Sequence, residues 1–272
     1  MVLALQLAHW NRAGVVVFSE IYQVTGPVER FAGQIASQGY VHALPSTTNL
    51  KAQSPYLTIL KVNCSLHWST LSSRLNAPPE TGTDRGNRYK IEKTVDAYDE
   101  VLHVPCDATL AIDLLSAHKN CNGRIAATGM CLGGHLAAFD PRVLASVCWF
   151  ATDIHSATLG KGKQDDTLIR VKRGDLTGKG ELVMIFGKQD THVPREGRDL
   201  IRRSLEDANV TSSFIEVQAQ HAFIRDESSK GRWDAALTRS LFTFMMEVFD
   251  RTVARDLGPR DHRTQAPEHS RQ

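Results

Sequence analysis

Three residues of this 272-residue chain have the type and spacing to do chemistry together: a cysteine among glycines, an aspartate just past one apolar run and a histidine just past another. The cysteine is Cys131, in Gly129-Met130-Cys131-Leu132-Gly133-Gly134. This pattern is the cysteine form of a nucleophile elbow, a sharp turn from strand to helix with the nucleophile at its apex. The residues two places away on either side must be tiny so that strand and helix pass closely, and glycine fits both. The turn predicts a sulfur lifted out of the sheet and set at a helix N-terminus, where free N–H groups and the positive dipole end favour a thiolate and can hold an oxyanion. With glycine at about 7% of residues, a chance match in a chain this long arises about once in a thousand sequences. Cys64, Cys106, Cys121 and Cys148 lack that context and read as small buried hydrophobes.

A free thiol is only a few per cent ionised at neutral pH and needs a base or a positive neighbour. In α/β-hydrolases the partners follow the nucleophile in the order acid, then histidine, each on a loop after a later strand. Asp190 lies four residues after Phe186, the end of the apolar run Leu182 to Phe186, and His221 lies four residues after Val217. The reading makes Cys131 the nucleophile and His221 the general base and then acid, with Asp190 holding the imidazole in its useful tautomer. The backbone N–H of Leu132 supplies one oxyanion donor and the loop near Ile21 a second. The rival role for Asp190, which its place in this order outweighs, is merely to cap the helix that follows it. His192 is a rival base, poorly placed only two residues from that acid, and His135 reads as structural.

The elements that must position these residues alternate. Val15-Val16-Val17-Phe18 is a buried-strand run with Ser19-Glu20-Ile21-Tyr22 at its carboxyl end, where ligands of open α/β sheets gather. A helix follows from Pro27, with Val28, Phe31, Ala32 and Ile35 on its apolar face and a stop at Gly39. Tyr40 to Leu44 makes the next strand. From Ser46 to Lys90 periodicity fades, so 46–90 reads as an irregular insertion or lid, in which Thr58 to Leu66 is a strand or nothing regular. A helix over Asp107 to His118, with Leu110, Ala111, Leu114 and Leu115 sharing a face, leads into the elbow strand, and the elbow helix runs from Leu132 to Phe139. Then come a strand at Leu144 to Phe150, a polar connection from Asp153 to Gly180 with at most one short strand, and the strand at Leu182 to Phe186. A helix from Arg195 to Ala208, a strand at Phe214 to Val217 and a helix from Arg232 to Val253 complete the alternation, the last with Trp233, Leu237, Leu241, Phe244, Met245 and Val248 inward. The expectation is one α/β domain over 1–257, with a mostly parallel sheet and helices on both faces, and a disordered tail over 258–272.

Composition narrows the function classes. A 42% apolar and 23% charged chain with a formal net charge of +2 has no electrostatic footprint for nucleic acid or an anionic membrane surface, which leaves small molecules as partners. Five cysteines without a Cys-x-x-Cys pair suit neither a disulfide framework nor a zinc site, so no metal is expected and the compartment reads as reducing. Met1 to Trp10 lacks the basic start and cleavage site of a signal peptide and reads better as a first strand. The expected location is the cytoplasm.

Several motifs together resemble the dienelactone hydrolase family, especially fungal members of uncertain substrate. They are the Gly129 to Gly134 elbow, Ser19 to Tyr22, Gly39-Tyr40 with Pro45, Gly187-Lys188-Gln189-Asp190 with Val193-Pro194, and Gln220-His221-Ala222-Phe223-Ile224-Arg225. The resemblance covers roughly Val15 to Val253 except Ser46 to Gly82. It implies an α/β-hydrolase fold without a cofactor, in which a Cys-His-Asp triad opens enol-lactones or related esters through an acyl-enzyme. It also implies that Glu20 contacts the resting thiol and helps convert it to thiolate when substrate arrives; the rival reading is an exposed loop charge, yet the end of a buried strand is a costly place for a charge without a role. Two arginines of the family hold a substrate carboxylate, a task suited to the guanidinium fork. Arg225 fits one; Arg85 with Tyr89 fits the other, with Arg88 as the alternative. The expected substrate is therefore an anionic small ester or lactone, and the expected state a monomer or small homo-oligomer. The elbow helix is about one turn shorter than the family leads one to expect. The alternative function is thus a catalytically impaired relative that binds or senses a small molecule.

Overall fold

β-branched runs bounded by turn residues form the buried strands of a parallel sheet, and amphipathic segments between them cover its faces. The computed structural model describes residues 12–18, 26–45, 60–62, 107–131, 136–157, 166–224 and 232–255. In chain order they form β1 (Arg12–Phe18), α1 (Gly26–Ser37), β2 (Val41–Pro45), β3 (Leu60–Val62), α2 (Asp107–Ala117) and β4 (Cys121–Met130). A 3-10 turn (Leu136–Phe139) leads to β5 (Val143–Trp149), the short helices α3 (Asp153–Ser156) and α4 (Thr167–Arg173), and β6 (Glu181–Gly187). Then follow α5 (Arg195–Asp207), β7 (Ser212–Val217), α6 (Ala235–Phe249) and a π-helical turn (Asp250–Ala254). No helix among the described residues is long and apolar enough to cross a membrane.

The seven strands lie in the order β3-β2-β1-β4-β5-β6-β7, and every pairing is parallel. The chain winds from β1 outward to β3, then returns to the other side of β1 with β4 and winds outward again. The carboxyl ends of β1 and β4 therefore flank the switch point at which ligands of open α/β sheets bind. The register places Phe18 beside Gly129, Gly129 beside Cys148 and Met130 beside Trp149, which carries the elbow to the end of the central strands.

Alternation along the strands divides the core. Val15, Val17, Met130, Trp149 and Ile185 face α1 and α6, where they meet Val28, Phe31, Ile35, Leu241, Met245, Val248 and Phe249. Val16, Phe18, Ile125 and Ala127 point the other way, onto Ala111, Ile112 and Leu115 of α2. Farther along that face Cys148, Leu182, Met184 and Phe186 meet Ile154, Val171, Ile201 and Leu205 of α3, α4 and α5. Helices thus cover both faces. The α1 residues expected to be apolar are all buried, and Gly39 beyond the helix takes φ +97°, a left-handed conformation that a side chain would resist.

Local expectations failed in four places. The described part of the connection after β5 holds two helices and no strand: Asp166 accepts a capping hydrogen bond from the Ile169 N–H, and α4 buries only Thr167 and Val171, one turn apart. After the elbow, the described part of the expected helix Leu132 to Phe139 is a 3-10 turn at Leu136–Phe139. The last helix starts at Ala235, where the Asp234 side chain caps the Leu237 N–H, so Trp233 precedes it and is 39% exposed. Leu114 is 38% exposed, since α2 buries Ala111, Ile112 and Leu115 and these turn it outward. The expected first strand at Met1 to Trp10, nearly all of the 46–90 insertion and the tail over 258–272 lie outside the described residues.

Candidate active site

The residue after β4 is Cys131. Its φ of +58° puts a non-glycine residue in the left-handed region, as an elbow requires. Two backbone hydrogen bonds to the end of β5 hold it there: its N–H donates to the Trp149 carbonyl at 2.9 Å, and its carbonyl accepts from the Thr152 N–H at 3.3 Å. Its Sγ lies 3.7 Å from the Thr152 Oγ1. The residue is 9% exposed, so the sulfur is shielded but not sealed.

Asp190 follows β6 on a tight turn, its N–H donating to the Gly187 carbonyl at 3.2 Å. The backbone of this turn is stitched to the loop after β7 by hydrogen bonds from the Lys188 N–H to the Val217 carbonyl (2.7 Å) and from the Gln189 N–H to the Ala219 carbonyl (3.0 Å). Gly187 makes that approach possible, because a Cβ there would stand 2.2 Å from the Ala219 carbonyl oxygen. Asp190 Oδ1 accepts from the N–H groups of His192 (2.7 Å) and Val193 (3.2 Å), and its Oδ2 lies 2.7 Å from the His221 Nδ1. Behind the turn, Arg198 of α5 is buried; it donates to the Val193 carbonyl at 2.8 Å and pairs with Glu216 of β7.

With Nδ1 turned to Asp190, the other nitrogen of His221 is left for Cys131. The ring is gripped on more than one side, by Phe150 at 4.8 Å between centroids with the planes at 62°, and by His192 stacked at 4.4 Å and 26°. Burial by itself disfavours the imidazolium. Hydrogen bonding to Asp190 and Cys131 and the negative charge of both outweigh it, and the His221 pKa is pushed up to about 9. Asp190 is likewise penalised by burial, but the His221 contact and the two backbone N–H groups hold its carboxyl below the usual range. Burial and the neighbouring His221 charge push His192 down.

The expected trio of Cys131, His221 and Asp190 therefore meets at the carboxyl ends of β4, β6 and β7. His192 sits on the face of His221 and not between acid and thiol. Leu132, Glu20, Ile21, Arg85, Arg88, Tyr89, His135 and Arg225 lie outside the described residues. Two neighbours of the trio were not foreseen from the sequence, Phe150 and Thr152. The available signal was their place at the carboxyl end of an apolar strand. Asp190, His192 and His221 also bring three potential ligand atoms within 4.8 Å of one another. The 2.7 Å between Asp190 Oδ2 and His221 Nδ1 is that of a shared proton; ligands at about 2.1 Å from one tetrahedral ion stand about 3.4 Å apart.

Comparison with known proteins agrees with this architecture. The family model described as "Dienelactone hydrolase family" matches residues 2–253. A Saccharomyces cerevisiae protein named "Putative carboxymethylenebutenolidase" is 46% identical over 250 residues, which are 90% of this chain and 82% of that protein. Among solved structures, "Putative Dienelactone Hydrolase" from Klebsiella pneumoniae superposes with a TM-score of 0.61 at 19% identity, covering 90% of each chain. Thermogutta terrifontis esterase 2 phosphorylated by paraoxon gives 0.57 at 18% identity, over 91% of this chain and 85% of that one. At such identities the structures speak for the fold alone, an α/β-hydrolase-like sheet with its helices. The family match spans almost the whole chain and the yeast relative most of both proteins, so the chain belongs to the dienelactone hydrolase family.

Proposed function

We propose that this protein hydrolyses small lactones or carboxylic esters through a thioester on Cys131. The observation that carries the reading is the array at the strand ends: Asp190 Oδ2 at 2.7 Å from His221 Nδ1, and Cys131, at φ +58°, interacting with the far side of the same imidazole. An imidazole with a pKa of about 9 holds a proton at neutral pH, and the thiol beside it is the natural source of that proton, becoming the thiolate as it gives it up.

The thiolate of Cys131 adds to the acyl carbon, and the carbonyl electrons move onto oxygen. The tetrahedral intermediate collapses to the thioester as the C–O bond breaks, and the His221 imidazolium gives its proton to the departing alkoxide. In a lactone that alkoxide remains tethered to the acyl group. His221, now neutral, takes a proton from water, whose oxygen attacks the thioester and releases the carboxylate and the thiolate. Asp190 keeps the Nδ1 proton in place throughout. The reading assigns the oxyanion to the N–H groups of Leu132 and Ile21, the activating carboxylate to Glu20, and an anionic substituent of the substrate to Arg225 and to Arg85 with Tyr89.

The test is pre-steady-state hydrolysis of an activated aryl ester. A burst of one acyl group per active site is expected, and it disappears in Cys131→Ala and in His221→Ala; unchanged rates in both variants refute the reading. One observation favours the non-catalytic alternative, the 3-10 turn at Leu136–Phe139 where an elbow helix was expected. That reading predicts thermal stabilisation by small lactones with no turnover and a Cys131 unreactive toward iodoacetamide.

A further inference from the structure

The residues that leave β5 touch both ends of the proposed catalytic pair. Trp149 offers its carbonyl to the Cys131 N–H, Phe150 packs its ring on His221, and Thr152 meets Cys131 twice, through its backbone N–H and through its hydroxyl. Phe150 has φ +42° and is wholly buried, a strained conformation for an aromatic residue. The strain has a geometric result. The left-handed turn at Phe150, whose N–H donates to the Ile185 carbonyl at 2.7 Å, bends the chain out of the sheet so that Thr152 comes up against the sulfur.

We infer that the Thr152 hydroxyl is a catalytic hydrogen-bond partner of the Cys131 sulfur. This rests on Cys131 being the nucleophile. A hydroxyl is a rotor with one donor and two acceptor sites. Against the protonated thiol it can accept from S–H; against the thiolate it turns and donates to the charge, and hydrogen bonds to charged groups are about twice as strong as neutral ones. The hydroxyl therefore favours the thiolate and holds it in the rotamer that faces His221. It reaches the sulfur at 3.7 Å, alongside the imidazole of His221. Among the described residues the titratable groups around this contact are His221 against the sulfur, Asp190 and His192 behind His221, and Asp153 and His155 farther along the turn. Asp153 is buried and accepts a hydrogen bond from the Thr167 hydroxyl, so it anchors the turn from below.

Thr152→Val keeps the shape of the side chain and removes the hydroxyl, while Thr152→Ser keeps the hydroxyl and removes a methyl group. The readout is the rate of alkylation of Cys131 by iodoacetamide between pH 5 and 10, followed by mass spectrometry of the peptide that contains it. In that reaction the thiolate forms the S–C bond and iodide leaves with the C–I electron pair, so the rate reports the thiolate without any hydrolytic step. In Thr152→Val the midpoint of the profile is expected to rise by about one pH unit, which makes alkylation about ten-fold slower below both midpoints. In Thr152→Ser it stays within a few tenths of the parent. A Val profile that superimposes on the parent overturns the inference, and so does a Ser variant displaced as far as the Val variant, which would mark a packing role. Circular dichroism and thermal melting of each variant confirm that the fold is intact. If Cys131→Ala keeps full hydrolase activity, the proposed function itself fails, whatever Thr152 does to alkylation.

Discussion

Replacing Asp190 by Asn separates the charge of the acid from its shape. The side-chain oxygen of Asn can still accept from the N–H groups of His192 and Val193, so the turn keeps its anchor. The atom facing His221 Nδ1 becomes an N–H₂ group, which cannot accept the Nδ1 proton and carries no charge to balance the imidazolium. In the parent protein the lift of the His221 pKa from 6.5 to about 9 corresponds to about 3 kcal/mol in favour of the charged ring. That lift is net of burial and shared with Cys131, so the loss of Asp190 should remove about 2–3 kcal/mol and let burial pull the pKa back toward or below 6.5. The sign of the stability effect follows from linkage. A histidine with a raised pKa adds its stability in full below about 6.5 and loses it as the pH rises through about 9. Asp190, held below the usual carboxylate range, adds its share above its unfolded value near 3.9 and loses it as the pH falls through the folded value. The two windows overlap between about pH 4 and 6.5. Urea unfolding from pH 4 to 10 should therefore show the parent ahead of Asp190→Asn by about 2–3 kcal/mol in that window, with the gap closing toward pH 10, where only a neutral hydrogen bond of about 1 kcal/mol distinguishes them. NMR titration of the His221 ring should give a midpoint at least one pH unit lower in the variant, and ester hydrolysis should fall by about 100-fold or more. A stability gap that stays constant from pH 5 to 10, or a His221 midpoint within a few tenths of the parent, refutes the reasoning.

Gly187→Ala should strike fold and site together. The new Cβ would lie 2.2 Å from the Ala219 carbonyl oxygen and 3.0 Å from that of Gln220, both backbone atoms, so the loop bearing His221 must move; we expect a loss of about 3 kcal/mol in urea unfolding and at least about 100-fold in hydrolysis. A variant with parental activity would show that the two loops are not mutually fixed. His42 is 2% exposed with no hydrogen-bond partner for its Nε2 among the described residues, and burial holds its pKa below 6.5, so the unfolded chain takes up its proton first and stability should fall as the pH drops below about 6.5. His42→Leu should flatten the pH dependence of the urea midpoint between pH 5 and 7, and an unchanged slope would assign the acid sensitivity elsewhere.

The strand framework was legible because fully buried strands write themselves as continuous apolar runs: Val15 to Phe18, Leu144 to Phe150 and Leu182 to Phe186 each have their ends within three residues of those of β1, β5 and β6. The glycine-cysteine-glycine turn and the order of acid and histidine placed Cys131, Asp190 and His221 at strand ends, where the structure brings them together. Short helices were harder to read. α4 depends on one capping aspartate and two buried positions, too few for a periodicity to stand out. Leu114 and Trp233 show the opposite failure, since a residue of apolar type was assigned inward although its helix, or its place before the helix, turns it to solvent. Thr152 and Phe150 carried no motif. Their role comes from a bend at one strained residue, and a backbone torsion has no signature in a single phenylalanine.

That bend alters how the elbow itself is understood. A nucleophile at the start of a regular helix draws its thiolate preference from the aligned dipoles of several turns and from their free N–H groups. Here the described part of the segment after Cys131 is a four-residue 3-10 turn, whose few peptide dipoles sum to little. Among the described residues, the side chains set against the sulfur are His221, whose charge Asp190 balances, and Thr152. Among the described residues, Cys131, Phe150 and Ala222 are non-glycine residues at positive φ that stand at or beside these contacts, on the ends of β4, β5 and the loop after β7. Each is a small conformational penalty that an isolated loop would relax. None can relax here, because the strands beneath them are parallel and paired to their last residues, with Met130 on Trp149 and Gly187 on Val217. The rigidity of the sheet thus fixes the side chains that face the sulfur. It follows that the reactivity of Cys131 should track the protonation of His221.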